Sequence, residues 1–186
     1  MINIIGLSGS LRKNSYNTAL LRAAAGLMPA GSTLMVKTIH GIPLYNGDEE
    51  SASGIPPAVQ ELKESIVAAD GLLLSTPEYN NSMPGVFKNA IDWLSRPDDD
   101  IPRVFGGKPV AVIGASPGGF GTILSQTAWL PTLKTLGTKP WWGGRFLLSR
   151  AYQAFNPAGE IIDPKRREEL QTFLADFVRF IAPERK

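Results

Sequence analysis

The sequence predicts an α/β fold built on a doubly wound parallel sheet of five strands, with helices covering both faces. Three observations predict it. Short apolar runs alternate with segments of helical periodicity along the 186 residues. The runs are continuous and not alternating, as in strands buried on both faces. The runs at the first, third and fourth strand positions each lead into a loop rich in Gly, Pro, Ser or Asn. In a doubly wound sheet such loops share the rim where ligands bind.

Ile2 to Leu7 is the first strand, an apolar run ending in a Ser/Gly loop. Asn17 to Met28 reads as a helix with Leu20, Leu21, Ala24 and Met28 on one face, and Ser32 to Ile39 as the second strand. Gly41 to Gly54 reads as loop from its Gly, Pro, Asn and Asp content. A helix follows from Pro57 to Ala69, then the third strand from Gly71 to Thr76. The next helix, Gly85 to Ser95, has a stripe of Phe87, Ala90, Ile91 and Leu94 that leaves Trp93 aside. Asp98-Asp99-Asp100 reads as a solvated loop, and Val110 to Ile113 as the fourth strand. Thr122 to Leu136 is helical in pattern but carries Pro131, which predicts a kink or an early end. Thr138 to Trp141 is the candidate fifth strand. In the last helix Leu170, Phe173, Leu174, Phe177, Val178 and Ile181 follow i, i+3, i+4, i+7, i+8, i+11, after the start signal Asp163-Pro164. No linker or repeat divides the chain, so one domain over 1–186 is expected.

Composition narrows the function classes. An apolar content of 43% fills a core, and 19% charged residues is too moderate for disorder. The net charge is only +2 and the basic residues are scattered, which argues against nucleic acid binding. There is no cysteine, which excludes disulfides, thiolate nucleophiles and cysteine-ligated metal clusters. His40 is the one histidine, which excludes a histidine-rich metal site. The N-terminus is apolar first and basic afterwards, the reverse of a secretory signal, and no apolar run has the ~20 residues of a membrane span. A cytoplasmic protein without membrane partners is expected.

The loop after strand one, Ser8 to Thr18, gathers hydroxyls, amides, a glycine and Arg12 at a helix N-terminus. Free N–H groups and the positive helix end attract anions there, and hydroxyls suit a terminal phosphate. The plainer alternative is a polar loop with an N-cap. Known phosphate motifs do not fit: Gly107-Lys108 is followed by Pro109, and Gly6 and Gly9 lack the dinucleotide spacing. The loop after strand three, Pro77 to Gly85, contains two prolines that stiffen the backbone into a ledge. A flat heteroaromatic with an alternating donor and acceptor edge, such as an isoalloxazine, suits it. The third loop, Gly114 to Gly121, has four glycines within reach of a ligand and one aromatic, Phe120, fit either to cover a ring or to pack in the core. Gly114-Ala115-Ser116-Pro117-Gly118 is also a literal nucleophile-elbow pattern. Pro117 has no N–H for an oxyanion hole, and His40 precedes the serine where a triad needs it to follow, so a hydrolase is rejected.

With these loops in place the sequence resembles the NADPH-dependent FMN reductase family, which includes azo-, quinone- and chromate-reducing enzymes. The carrying segments are Gly9 to Asn17, Pro43 to Asn46, Thr76 to Asn80, Lys88 to Arg96 and Gly107-Lys108-Pro109. The resemblance implies a flavodoxin-like fold with strand order 2-1-3-4-5. It implies bound FMN, with Ser10, Arg12, Ser15, Tyr16 and Asn17 at the phosphate and Pro77, Glu78, Tyr79 and Asn80 along the flavin, largely through backbone. Ser116 and Gly118 fall where the family places a further flavin contact. NADPH or NADH passes hydride to flavin N5, and a small-molecule electron acceptor then takes its place in a ping-pong cycle. No catalytic side chain is assigned, because the flavin carries the chemistry. The rival reading is an FMN electron carrier without NAD(P)H turnover. A homodimer or homotetramer is expected from the family and from Trp93, Trp129, Trp141 and Trp142, read as interface aromatics. Asp98 to Val104 makes one segment longer than the family pattern.

Overall fold

The computed structural model describes residues 1–182. Its sheet is wholly parallel. β1 (Ile2–Ser8) lies between β2 (Ser32–Thr38) and β3 (Gly71–Ser75), and β4 (Pro109–Ala115) follows β3. The fifth position is shared. β5 (Lys139–Pro140) pairs with the start of β4, and β6 (Phe146–Leu148) pairs with its end. The order 2-1-3-4-5 is the flavodoxin-like order.

The continuous apolar strands place residues alternately on two cores, as a period of two requires. Ile5, Leu7, Leu72 and Leu74 face one side. There they meet α3 (Pro57–Val67), α4 (Gly85–Leu94), the single turn α5 (Ile101–Val104) and α6 (Ile123–Thr135). Ile4, Leu34, Leu73 and Ile113 face the other side, against α1 (Tyr16–Ala25) and α7 (Pro164–Ile181). Every residue of β3 is buried. Each of its three leucines contributes about 1.5–3 kcal/mol from burial. Asp163 caps α7 by accepting from the Lys165 N–H at 2.9 Å, as its position before Pro164 predicts.

Five expectations need correction. The polar stretch after β2 contains α2 (Gly47–Ser53), capped by Asn46; it buries no residue, so no apolar period announces it. Helix α6 runs through Pro131 without ending there. Pro131 and Thr127, whose carbonyl loses its helical donor, are both exposed, which leaves that carbonyl accessible to solvent. Asp98 to Asp100 form a 3₁₀ turn leading into α5, and Asp100 is held by Lys63 and Arg103. β6 is an added strand, too short for a pattern. Trp93 and Trp129 are fully buried, so neither marks an interface. The Trp93 indole donates to the Pro43 carbonyl at 3.0 Å, and that of Trp129 to Thr76 Oγ1 at 3.1 Å.

The Lys63 side chain is wholly buried, and its ammonium donates to Asp100 Oδ2 at 2.9 Å and to the Arg96 carbonyl. Hydrogen bonds from Arg103 first, and Lys63 second, lower the Asp100 carboxyl from its ordinary 3.8 to about 2. A carboxyl depressed in the folded state stabilises the fold above its unfolded value, and that stabilisation is lost as pH falls through the folded value. Lys63→Met should therefore lower the melting temperature at neutral pH. Its deficit relative to the wild type should shrink as pH is taken from roughly 5 to roughly 2. A deficit that stays constant across that range in thermal scans would contradict this role for the pair.

Candidate flavin cleft

The first loop leaves the end of β1 and enters α1 at Ser15, whose hydroxyl accepts from the Thr18 N–H at 3.3 Å. Ser10 Oγ likewise accepts from the Arg12 N–H at 3.3 Å. Both hydroxyls act as acceptors here, so their own protons remain to be donated. The first turn of α1 carries no acidic residue, which leaves the positive end of the helix dipole unneutralised. Arg12 is exposed and lies over the Tyr16 ring, 5.8 Å from its centroid. It forms no ion pair among the described residues, whereas Arg96 and Arg103 are both engaged by carboxylates. Gly9 is obligatory: a Cβ there would lie 2.0 Å from Phe87 Cδ1.

Asn17 ties the first turn of α1 to the ends of β3 and β4. Its Nδ2 donates to the Ala115 carbonyl at 2.9 Å, while its Oδ1 accepts from Ala115 N–H and Ser75 Oγ, each at 3.0 Å. The carboxamide is thus committed to β4 and β3, leaving one Nδ2 hydrogen and the backbone for a ligand.

The second loop is stiffer than its prolines alone require. Tyr79 and Ser82 exchange two backbone hydrogen bonds of 3.0 Å, and Asn80 and Asn81 between them have φ of 50° and 61°. This is a tight turn of the kind asparagine favours. The Glu78 carboxylate accepts from Leu124 N–H at 2.8 Å and Ser125 N–H at 3.0 Å. The third loop starts at Ser116, whose N–H donates to the Leu148 carbonyl of β6 at 3.0 Å. At Gly114 a Cβ would meet Thr122 Oγ1 at 1.9 Å, so this strand end also tolerates only glycine.

The three loops line one concavity of about 340 Å³, counting the space open to solvent. Nine predicted residues line it: Ser10, Arg12, Ser15, Tyr16, Asn17, Pro77, Glu78, Tyr79 and Ser116. Ala115 and Pro117, unassigned from sequence, line it too. Asn80 stands exposed at the tip of its turn, and Gly118 gives its carbonyl to the Arg150 N–H at 3.0 Å; neither lines the cleft. Phe120 is 81% exposed, so it is no core residue. Larger concavities of about 830 and 860 Å³ lie against α1 and α7, away from the loops. The smaller cleft is the candidate because of its position: it lies at the carboxyl ends of β1, β3 and β4, where ligands of doubly wound sheets bind.

A flavodoxin-like sheet whose three strand-end loops share one cleft is the setting in which doubly wound proteins bind nucleotide ligands, and flavin-dependent reductases are one class built on it. Residues 2–153 match the model of the NADPH-dependent FMN reductase family, and the chain belongs to it. A Pseudomonas aeruginosa protein described as an NAD(P)H-dependent FMN reductase is 49% identical over 91% of this chain and 90% of its own. A 2-hydroxy-1,4-benzoquinone reductase from Burkholderia sp. is 36% identical over 99% and 98% of the two chains. The solved structure of FerB, a flavoenzyme NAD(P)H:(acceptor) oxidoreductase from Paracoccus denitrificans, superposes with a TM-score of 0.87 at 35% identity and 97% coverage of both chains. The protein is an NAD(P)H-dependent oxidoreductase whose flavin is FMN. Among the described residues no helix is long and apolar enough to cross a membrane.

Asn17→Ala would leave the Ala115 N–H, the Ala115 carbonyl and the Ser75 hydroxyl without their partner in a buried site. Each such group costs about 1–3 kcal/mol. Denaturant unfolding of Asn17→Ala should show a loss of at least about 2 kcal/mol. A loss of only a few tenths would mean that the brace is dispensable.

Proposed function

We propose that the cleft holds FMN, and that the protein passes reducing equivalents from NAD(P)H to a small-molecule acceptor of the quinone class. Ser10, Arg12, Ser15 and the α1 N-terminus would hold the phosphate, with Tyr16 and Asn17 beside it. Pro77, Glu78 and Tyr79 would flank the flavin through backbone, and Ser116 would stand on the opposite wall, with Asn80 and Gly118 outside the cleft lining. When bound, FMN accepts hydride from the reduced nicotinamide and returns two electrons to the acceptor.

The observation that carries this reading is the pairing of the unneutralised Arg12 and α1 cradle with a rigid turn on the same cleft. The residues present fit a phosphate-bearing flat ring: two hydroxyl donors and, among the described residues, a guanidinium with no ion pair beside a helix N-terminus. The Burkholderia relative's reported quinone supports the acceptor class. We also propose that one cleft face serves reductant and acceptor in turn. Tyr79, Phe120 and Leu124 are exposed, and a homodimer or homotetramer that covers them in the cytoplasm completes the reading.

Two measurements test it. Anaerobic addition of NADPH or NADH should bleach the flavin absorbance at the rate of turnover, and double-reciprocal plots with a quinone should be parallel. A flavin bleached only by a partner reductase would make the protein an electron carrier, and intersecting lines would discard the shared face. Arg12→Ala removes a charge-assisted hydrogen bond worth roughly 1.5–3 kcal/mol, so FMN should bind about 10–150-fold more weakly. Unchanged affinity in fluorescence titration would show that Arg12 serves no phosphate.

A further inference from the structure

Helix α6 starts without a cap of its own. Thr122 stands at its N-cap position with φ of 78°, in the left-handed region, and its side chain caps nothing. The first N–H groups of a helix need acceptors. Here they are met from outside the helix: Glu78 Oε2 takes both Leu124 N–H and Ser125 N–H, 46 and 47 residues away in sequence. A carboxylate at a helix N-terminus is favoured by the dipole as well as by the hydrogen bonds.

The same helix turns hold the other parts of the cleft. Thr76 Oγ1, one residue before Pro77, pairs with Ser125 Oγ at 2.8 Å and receives the Trp129 indole at 3.1 Å. Thr122 packs against Gly114 at the end of β4, two residues before Ser116. Trp129 lies edge-to-face with Phe87, at 4.9 Å between centroids, and Phe87 is the ring that excludes a Cβ at Gly9. The first two turns of α6 thus touch the support of all three loops. Among the described residues, the hydrogen bonds that join the helix directly to the Pro77–Asn80 ledge are those of Glu78.

We propose that Glu78 is a positioning residue: its carboxylate ties the Pro77–Asn80 ledge to the first turn of α6 and so fixes how the ledge faces the Ala115–Pro117 wall. It acts on the flavin through the backbone it holds, not by touching it. This rests on the reading of the cleft as the FMN site. A plain helix cap would stabilise α6 and leave ligand affinity alone; a positioning residue changes both.

The test compares FMN dissociation constants and melting temperatures of the apoprotein across four variants. Glu78→Ala should weaken FMN binding by about tenfold. Glu78→Gln keeps the reach and an acceptor oxygen, and should stay within about threefold of the wild type. Glu78→Asp keeps the charge but is one methylene too short, and should bind more weakly than Glu78→Gln. Asp163→Ala, which removes the cap of α7 away from the cleft, should lower the melting temperature and leave FMN affinity unchanged. Equal FMN affinity in Glu78→Ala and wild type would overturn the proposal. So would an Asp variant that binds like the wild type while Gln does not, since charge and not reach would then matter. If Glu78→Ala fails to fold, the order of Gln and Asp decides. A wild type that binds no FMN at all would instead overturn the reading of the cleft.

Discussion

The functional end of this molecule depends on one buried carboxamide. Asn17 joins the first turn of α1 to the ends of β3 and β4 through three hydrogen bonds of 2.9–3.0 Å. Strand ends in a parallel sheet diverge with its twist, and nothing in the ladder itself brings their loops to a common focus. Asn17 does so by satisfying both backbone groups of Ala115, where the third loop begins. The cradle at α1 and the wall at Ser116 then share one fixed point. Ser8 adds a second, shorter tie, its hydroxyl paired with Thr18 Oγ1 at 2.8 Å. Because all these groups are buried, water cannot substitute for any of them.

Electrostatics then set Arg12 apart from the arginines that brace the fold. Arg96 and Arg103 are spent on Glu50, Asp98, Glu64 and Asp100, and so bind the α2 and α5 segments to the body of the protein. Arg12 is left beside a helix N-terminus with only an aromatic ring beneath it. A stacked guanidinium keeps its five donors available while losing conformational freedom, a suitable state from which to meet a phosphate. Lys108 shows the contrasting use of a cation. Its ammonium binds the Val67 and Ala69 carbonyls at the end of α3, and burial lowers its pKa.

The sequence made the sheet and most of its helices legible because burial leaves a periodic record. The run Leu72-Leu73-Leu74 and the spacing from Leu170 to Ile181 have no other economical reading. The three loops were also legible, since their residue types are unusual for turns. What escaped was whatever depends on partners remote in sequence. Trp93 lies off the apolar stripe of α4, but the Pro43–Tyr45 loop folds over it and Tyr45 packs against its edge at 5.0 Å. Asn17 reads as a ligand donor until Ala115, 98 residues on, claims it. Glu78 reads as a lining residue, and lines the cleft, but nothing in the sequence shows that its carboxylate is bound to α6. β6 has three residues and follows two glycines and an arginine, so only its pairing with β4 reveals it.

The central claim is that the α1 cradle is built for a terminal phosphate. The most direct measurement compares FMN with riboflavin, which carries the same ring system without the phosphate, by fluorescence titration of the apoprotein. Two charge-assisted hydrogen bonds at roughly 1.5–3 kcal/mol each predict that FMN binds at least about 100-fold more tightly. That preference should collapse at high salt less than a purely exposed ion pair would, because Ser10 and Ser15 are buried. Equal affinity for the two flavins would contradict the account, since the cradle would then hold no phosphate.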